Sequence, residues 1–242
     1  MARRINHDRR PGKSHRKKVP SLSATPKCLG IPRLLDRGGI GGGTISSPSA
    51  WRPLIETPAS GDHILFWTDD SASSDSIMAT FVQGGLHRND LVAVLWPHAE
   101  RDSLRRQCQA TGVSLDEHIV RGNVTLMSAE RYYPHDPHDE TRIESLFDQL
   151  TDRVRAGRKS GLSFMGRIAP SLFERGDMVR AETVERMVGA RLGTARVLCP
   201  YRAKRVGRLA GAPSLVRSHS HTVTALGRDQ FLVEHVASRH RS

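Results

Sequence analysis

The chain has 242 residues, a net charge of +12 and three cysteines. The cysteines, Cys28, Cys108 and Cys199, are odd in number and contain no CxxC pair, which argues against a disulfide framework and a cysteine zinc site. No apolar run approaches the roughly 20 residues that cross a bilayer, and no apolar segment follows the basic N-terminus as in a secretory signal. We therefore expect a cytoplasmic protein without membrane attachment.

The first 60 residues differ from the rest in composition. They carry twelve Lys and Arg against three Asp and Glu, a net charge of +9, and include the Gly/Ser/Pro-rich stretch 37–50. Such a segment cannot bury enough apolar surface to offset the entropy lost on ordering. We predict a disordered basic tail over 1–60, whose charge would bind nucleic acid non-specifically.

From residue 61 onward, buried strands alternate with helices. Short apolar runs predict five strands, at 63–67, 91–96, 124–128, 161–166 and 195–201. Helical spacing predicts intervening helices at 75–86, 98–112, 114–123, 136–157 and 178–192. Gly84 and Gly85 are interpreted as the end of the first helix, and Ser114 with Glu117 as a capping box. This order predicts one α/β domain over 61–242, a mostly parallel sheet with helices on both faces.

The carboxyl ends of the strands are the expected ligand edge of such a sheet. Asp69 and Asp70 follow the first strand, where a nucleotide-binding sheet has a glycine-rich loop that ends in GK[ST]. Carboxylates there repel phosphate, so they indicate either contact with another ligand or caps for the next helix, and both alternatives stay open. Trp96, Arg167 and Tyr201 end or follow other strands at this edge.

One histidine-rich segment offers possible metal ligands. It contains His135, Asp136, His138 and Asp139, but Asp136 followed by Pro137 also begins a helix, and the spacing does not place both imidazoles on one helical face. We predict no metal and no other cofactor.

No catalytic constellation is evident either. Cys199 lies within an apolar strand and is interpreted as core packing. His219 and His221 flank a serine without an orienting partner in the sequence, and no GxSxG motif is present. We predict that the protein is not an enzyme.

Several short motifs occur in the order found in one known family. They are "HILFWTDD" at 63–70, "FVQGGLHRNDLVAVL" at 81–95, "GVSLDEHIVRGNVTLMSAERYY" at 112–133, "DPHDETRI" at 136–143, "CPY" at 199–201 and "HSHTV" at 219–223. In this order they resemble the MEDS family, the methanogen/methylotroph sensory domains related to RecA and KaiC. The resemblance implies a RecA-like sheet without a phosphate loop, and the sensing of small hydrocarbon derivatives.

The resemblance also identifies a ligand site and one departure from the family. The predicted ligand-binding residues are Asp69, Asp70, Trp96, Arg167 and Tyr201 from the strand ends, together with His219, which the resemblance places on the family's histidine. Arg167 stands where the family has an acidic residue. Because a buried guanidinium needs a partner, we expect an ion pair with Asp69 or Asp70, the alternative being a solvent-facing Arg167 beside Glu174.

We therefore predict a sensory or signalling domain that binds a small organic ligand at the carboxyl edge of its sheet. It would act through a partner protein in transcriptional or stress signalling. Two alternatives remain: a degenerate RecA-like ATPase, and a nucleic-acid-associated protein that acts through its basic tail.

Overall fold

Seven strands form one sheet in the computed structural model, which describes residues 51–68, 71–134, 141–202, 213–227 and 230–236. The strands are β1 (His63–Thr68), β2 (Leu91–Trp96), β3 (Val124–Ser128), β4 (Leu162–Gly166), β5 (Arg196–Arg202), β6 (His221–Gly227) and β7 (Gln230–His235). Their order is β3-β2-β4-β5-β1-β6-β7, and the neighbours are parallel except for the antiparallel pair β6 and β7. The predicted mostly parallel sheet is confirmed.

Helices cover both faces of the sheet. They are α1 (Trp51–Glu56), α2 (Ser71–His87), α3 (Arg101–Ala110), α4 (Leu115–Val120), α5 (Thr141–Ala156), α6 (Ile168–Glu174), α7 (Met178–Arg191) and α8 (Pro213–Arg217). One apolar core lies between the sheet and α5–α8, and a second lies between the opposite face and α1–α4. Within the described residues, no helix is both long and apolar enough to cross a membrane.

Two local predictions can be compared directly with the helix ends. Ser114 is confirmed as the N-cap of α4, because its hydroxyl accepts a hydrogen bond from the amide of Glu117 at 3.5 Å, which is one of the two hydrogen bonds of a capping box. The predicted stop at Gly84 and Gly85 is wrong, since α2 continues to His87. A Cβ at Gly84 would lie 2.0 Å from the carbonyl oxygen of Glu56, so glycine is needed here for the close approach of α1 and not for a turn.

The predicted disordered tail extends too far. Residues 1–50 lie outside the described residues, but residues 51–56 form α1. Ile55 is fully buried, and the ring of Trp51 lies 5.0 Å from that of Phe231 in β7. The folded domain therefore begins earlier than residue 61, because this short apolar helix packs on the core.

Candidate functional site

Four buried side chains with metal-binding atoms meet on the sheet face that α7 covers. They are His63 at the start of β1, Glu185 in α7, Cys199 in β5 and His219 before β6, here called the buried cluster. Parallel pairing of β1 with both β5 and β6 brings their chain segments together. All four residues are at most 4% exposed.

Glu185 lies at the centre of the buried cluster. Its Oε2 is 3.1 Å from Nε2 of His63, 3.5 Å from Sγ of Cys199 and 3.5 Å from Nε2 of His219. Its other oxygen, Oε1, accepts a hydrogen bond from the hydroxyl of Tyr201 at 2.5 Å. Tyr201 is two residues beyond Cys199, so both side chains point to the same face of β5.

Backbone carbonyls fix how the two imidazoles are oriented. Nδ1 of His63 lies 2.9 Å from the carbonyl oxygen of Ser218, and Nδ1 of His219 lies 2.7 Å from that of Leu215. Because a carbonyl oxygen only accepts, each Nδ1 carries a proton. Each Nε2 therefore faces Glu185. The carbonyl of Leu215 orients His219, a partner that the sequence analysis did not identify.

Burial and mutual contact shift the pKa values in the cluster. Burial raises the pKa of Glu185, but His219, His63 and the Tyr201 hydroxyl outweigh it and lower that pKa to about 2. Burial and the nearby His63 lower the pKa of His219 to about 3. Burial and Glu185 raise the pKa of the Cys199 thiol.

A small cavity adjoins the buried cluster between the sheet and α5, α6 and α7. Its lining consists of Ile143, Leu146, Phe147, Phe164, Gly166, Ile168, Ala169, Pro170, Val184, Glu185, Val188 and Cys199. The volume of the cavity is about 10 Å³, which is enough for one water-sized group. Glu185 and Cys199 thus give an otherwise apolar cavity a polar wall.

The carboxyl edge of the sheet holds a separate group of charges. Nη2 of Arg167 lies 3.0 Å from Glu174 and 3.6 Å from Glu100, and its guanidinium lies 5.6 Å from the ring centre of Trp96. Arg202 pairs with the same two glutamates at 2.8 and 3.5 Å. Burial lowers the pKa of Arg167, and the two glutamates oppose that shift.

The six residues that sequence analysis assigned to one ligand site lie in different places. Trp96 and Arg167 meet at the carboxyl edge, whereas Tyr201 and His219 both approach Glu185. His219 precedes β6, which runs parallel to β1, so it lies toward the amino end of the sheet and away from the carboxyl edge where the ligand was expected. Asp69 and Asp70 lie outside the described residues, so their role and their pairing with Arg167 stay predictions. The candidate metal ligands at 135–140 also lie outside them.

Sequence analysis missed Glu185, the residue that joins the cluster. Ala181, Val184 and Val188 form an inward stripe of α7, and Glu185 falls within it at helical spacing. A carboxylate on the inward face of a helix indicates a polar site in the core, because a buried charge needs partners. The partners themselves come from distant strands, which only the sheet order brings together.

The chain resembles one known protein family in sequence and a KaiC-like protein in fold. A protein-family model described as "MEDS: MEthanogen/methylotroph, DcmR Sensory domain" matches residues 62–219, which include the whole buried cluster. Among curated proteins, none matches the chain. Among solved structures, a KaiC-like protein from the hyperthermophilic archaeon Pyrococcus horikoshii OT3 has a similar fold, with a TM-score of 0.53 and 12% identity. The match covers 82% of this chain and 92% of that one, and at this identity it shows the fold alone.

Proposed function

Because the chain belongs to the MEDS family of sensory domains, we propose that it is a non-enzymatic sensor of a small organic ligand that acts through a partner protein. The family description names methanogens and methylotrophs, organisms that live on small carbon compounds. This supports a ligand of only a few heavy atoms. The partner and the pathway, transcriptional or stress signalling, belong to the same proposal.

The cavity beside the buried cluster is the observation that supports the proposal. Its apolar lining favours a mainly hydrocarbon guest. Its volume of about 10 Å³ holds one water-sized group, so a guest of several heavy atoms requires the lining helices to move apart. Glu185 and Cys199 can contact one polar group of that guest. We therefore propose that the ligand binds between the sheet and α5–α7, whereas the sequence suggested the carboxyl edge.

ATP hydrolysis receives no comparable support. Only residues 69 and 70 separate the end of β1 from the start of α2, which is too short for the loop that surrounds phosphates in related ATPases. Neither residue is glycine or lysine.

Ligand-induced stabilisation tests the proposal. Thermal unfolding of the full chain would be followed with increasing methanol, dimethyl sulfide or dichloromethane. A folded protein is stabilised by a ligand that binds it in preference to the unfolded chain. We expect at least one compound to raise the melting temperature at concentrations too low to denature.

Matched variants test whether the rise in melting temperature depends on the cavity. Ala169→Val narrows the cavity and is expected to abolish the stabilisation, with Val184→Ile as a milder second variant. Ala181→Val adds the same methyl groups to a buried helix position outside the lining and should retain it. Equal responses in Ala169→Val and Ala181→Val, or no response to any compound, would contradict this ligand site.

A further inference from the structure

The buried cluster has the donor set and spacing of a tetrahedral metal site. Its two imidazole nitrogens, one sulfur and one carboxylate oxygen all lie within 4.8 Å of one another. Zinc bonds of about 2.0 Å to nitrogen or oxygen separate tetrahedral donors by about 3.3 Å, and a bond of about 2.3 Å to sulfur extends this to about 3.6 Å. Four of the six observed separations match: 3.1 Å (His63 to Glu185), 3.3 Å (His63 to Cys199) and 3.5 Å from Glu185 to both Cys199 and His219. The other two, from His219 to His63 and to Cys199, are at most 4.8 Å and would shorten on metal binding.

The surroundings of the two imidazoles match those of metal ligands. A metal-bound histidine typically donates its other ring N–H to a carboxylate or a backbone carbonyl, which orients the ring. Nδ1 of His63 and Nδ1 of His219 both face carbonyl oxygens. Both Nε2 atoms are thereby left with lone pairs directed into the cluster.

His219 shows that an ordinary ion pair does not satisfy this arrangement. Nε2 of His219 is buried and has no hydrogen-bond partner among the described residues. A proton on Nε2 of His63 would balance the negative charge of Glu185. Nε2 of His219 would still face a carboxylate oxygen, which cannot donate a hydrogen bond to it. A cation at the centre accepts lone pairs from all four atoms at once.

Charge balance also favours a divalent cation. When the Cys199 thiol releases its proton to water, the thiolate and the Glu185 carboxylate together carry two negative charges, and a zinc ion carries two positive ones. The assembly is then neutral in an apolar core where an unbalanced charge is costly. Mixed sulfur and imidazole donors in tetrahedral geometry are typical of zinc.

We propose that the buried cluster binds one Zn²⁺ ion through Nε2 of His63, Oε2 of Glu185, Sγ of Cys199 and Nε2 of His219. Four protein donors leave no open position, as in structural zinc sites. The ion connects β1, α7, β5 and the segment before β6. The inference goes beyond the sensory function and does not depend on which ligand the cavity holds.

Metal content of the full chain provides the first test. The protein would be produced with supplied zinc and without a polyhistidine tag, dialysed, and assayed by mass spectrometry of the metal. We expect about one zinc ion per chain. Cys199→Ser and His219→Ala should each weaken zinc affinity by about tenfold or more.

Two other cysteines provide matched controls. Cys108 is a buried thiol in the core on the opposite face of the sheet, and Cys28 lies in the N-terminal segment. Cys108→Ser and Cys28→Ser should keep wild-type zinc content. Loss of zinc in either control, with retention in Cys199→Ser, would overturn the assignment.

Cobalt substitution decides the question without relying on variants that might unfold. Tetrahedral Co²⁺ with a thiolate ligand shows intense visible bands and a near-ultraviolet charge-transfer band. We expect both in the wild type and in the two controls, with the charge-transfer band absent from Cys199→Ser. A folded wild-type chain that takes up neither zinc nor cobalt would overturn the proposal. Retained metal without any response to organic compounds would contradict the sensory proposal alone.

Discussion

Glu185 organises the buried cluster through the different contacts of its two oxygens. The Tyr201 hydroxyl holds Oε1, which turns Oε2 toward His63, Cys199 and His219. Tyr201 is therefore a positioning residue for this carboxylate. Glu185 also lines the cavity, so a guest bound there would contact the same side chain that joins the buried cluster.

Arg167 carries a prediction about stability. Its side chain is 4% exposed and pairs with Glu174 and Glu100. Arg167→Ala leaves these carboxylates without their buried partner, so we expect the free energy of unfolding to fall by about 3 kcal/mol. Urea denaturation measures the change.

Arg202 is the matched control because it pairs with the same two glutamates. Its side chain is 53% exposed, so solvent screens its ion pairs. Arg202→Ala should lower the free energy of unfolding by under about 1 kcal/mol. If both variants lowered the free energy of unfolding by similarly small amounts, burial would not strengthen the ion pairs of Arg167.

The sequence located Arg167 and named Glu174 only as the neighbour of a solvent-facing Arg167, and it did not identify Glu100 as a partner. The end of β4 is visible as an apolar run, so a charged residue at that edge is predictable. Glu100 closes a short 3-10 turn and Glu174 ends α6, and neither element has enough residues to give a periodic signal. Their approach to Arg167 depends on the strand order, which is not a local property.

Gly84 tests how closely α1 and α2 pack. Alanine usually stabilises a helix relative to glycine by about 0.5–1 kcal/mol. At Gly84, however, a Cβ would lie 2.0 Å from the backbone oxygen of Glu56, and backbone yields less readily than a side chain. We expect Gly84→Ala to lower the free energy of unfolding by about 1–3 kcal/mol, as measured in urea.

Gly189 in α7 offers the comparison. A Cβ there meets its nearest neighbour, the carbonyl oxygen of Ser218, at an ordinary 3.7 Å. Gly189→Ala should leave stability unchanged or raise it by up to about 1 kcal/mol. If both alanine variants proved equally stable, the two helices would not be in the tight contact described.

Whether an element could be predicted depended on its length and burial. The apolar runs of β1–β5 predicted those strands to within one residue at each end, because strands covered on both faces exclude polar residues. The run of α6, Ile168–Glu174, directly follows β4 and was not recognised as a helix. β6 and β7 were not assigned, because partly exposed polar residues interrupt the apolar runs of both strands.

At the scale of the whole molecule, charge and chemistry are separated along the chain. The net charge of residues 1–60 is +9, whereas residues 61–242, which hold the cavity and the buried cluster, have a net charge of +3. The buried cluster and the cavity are both enclosed by the sheet and α7, away from the surface charges. We therefore predict that binding of polyanions by residues 1–60 and binding of a small apolar guest by the cavity are separable.

Salt dependence of DNA binding tests this separation. Each neutralised phosphate contact contributes about 0.9 to the slope of log K against log salt concentration. Replacing Lys13, Arg16, Lys17 and Lys18 with glutamine should flatten that slope by up to about 3.6. A control with the same charge change replaces four exposed arginines of the folded domain, Arg106, Arg153, Arg155 and Arg158. Fluorescence anisotropy with a short duplex should show the larger effect in the first variant, since its charges are clustered. An equal loss in both variants would mean that the folded domain binds DNA as strongly as the N-terminal segment does.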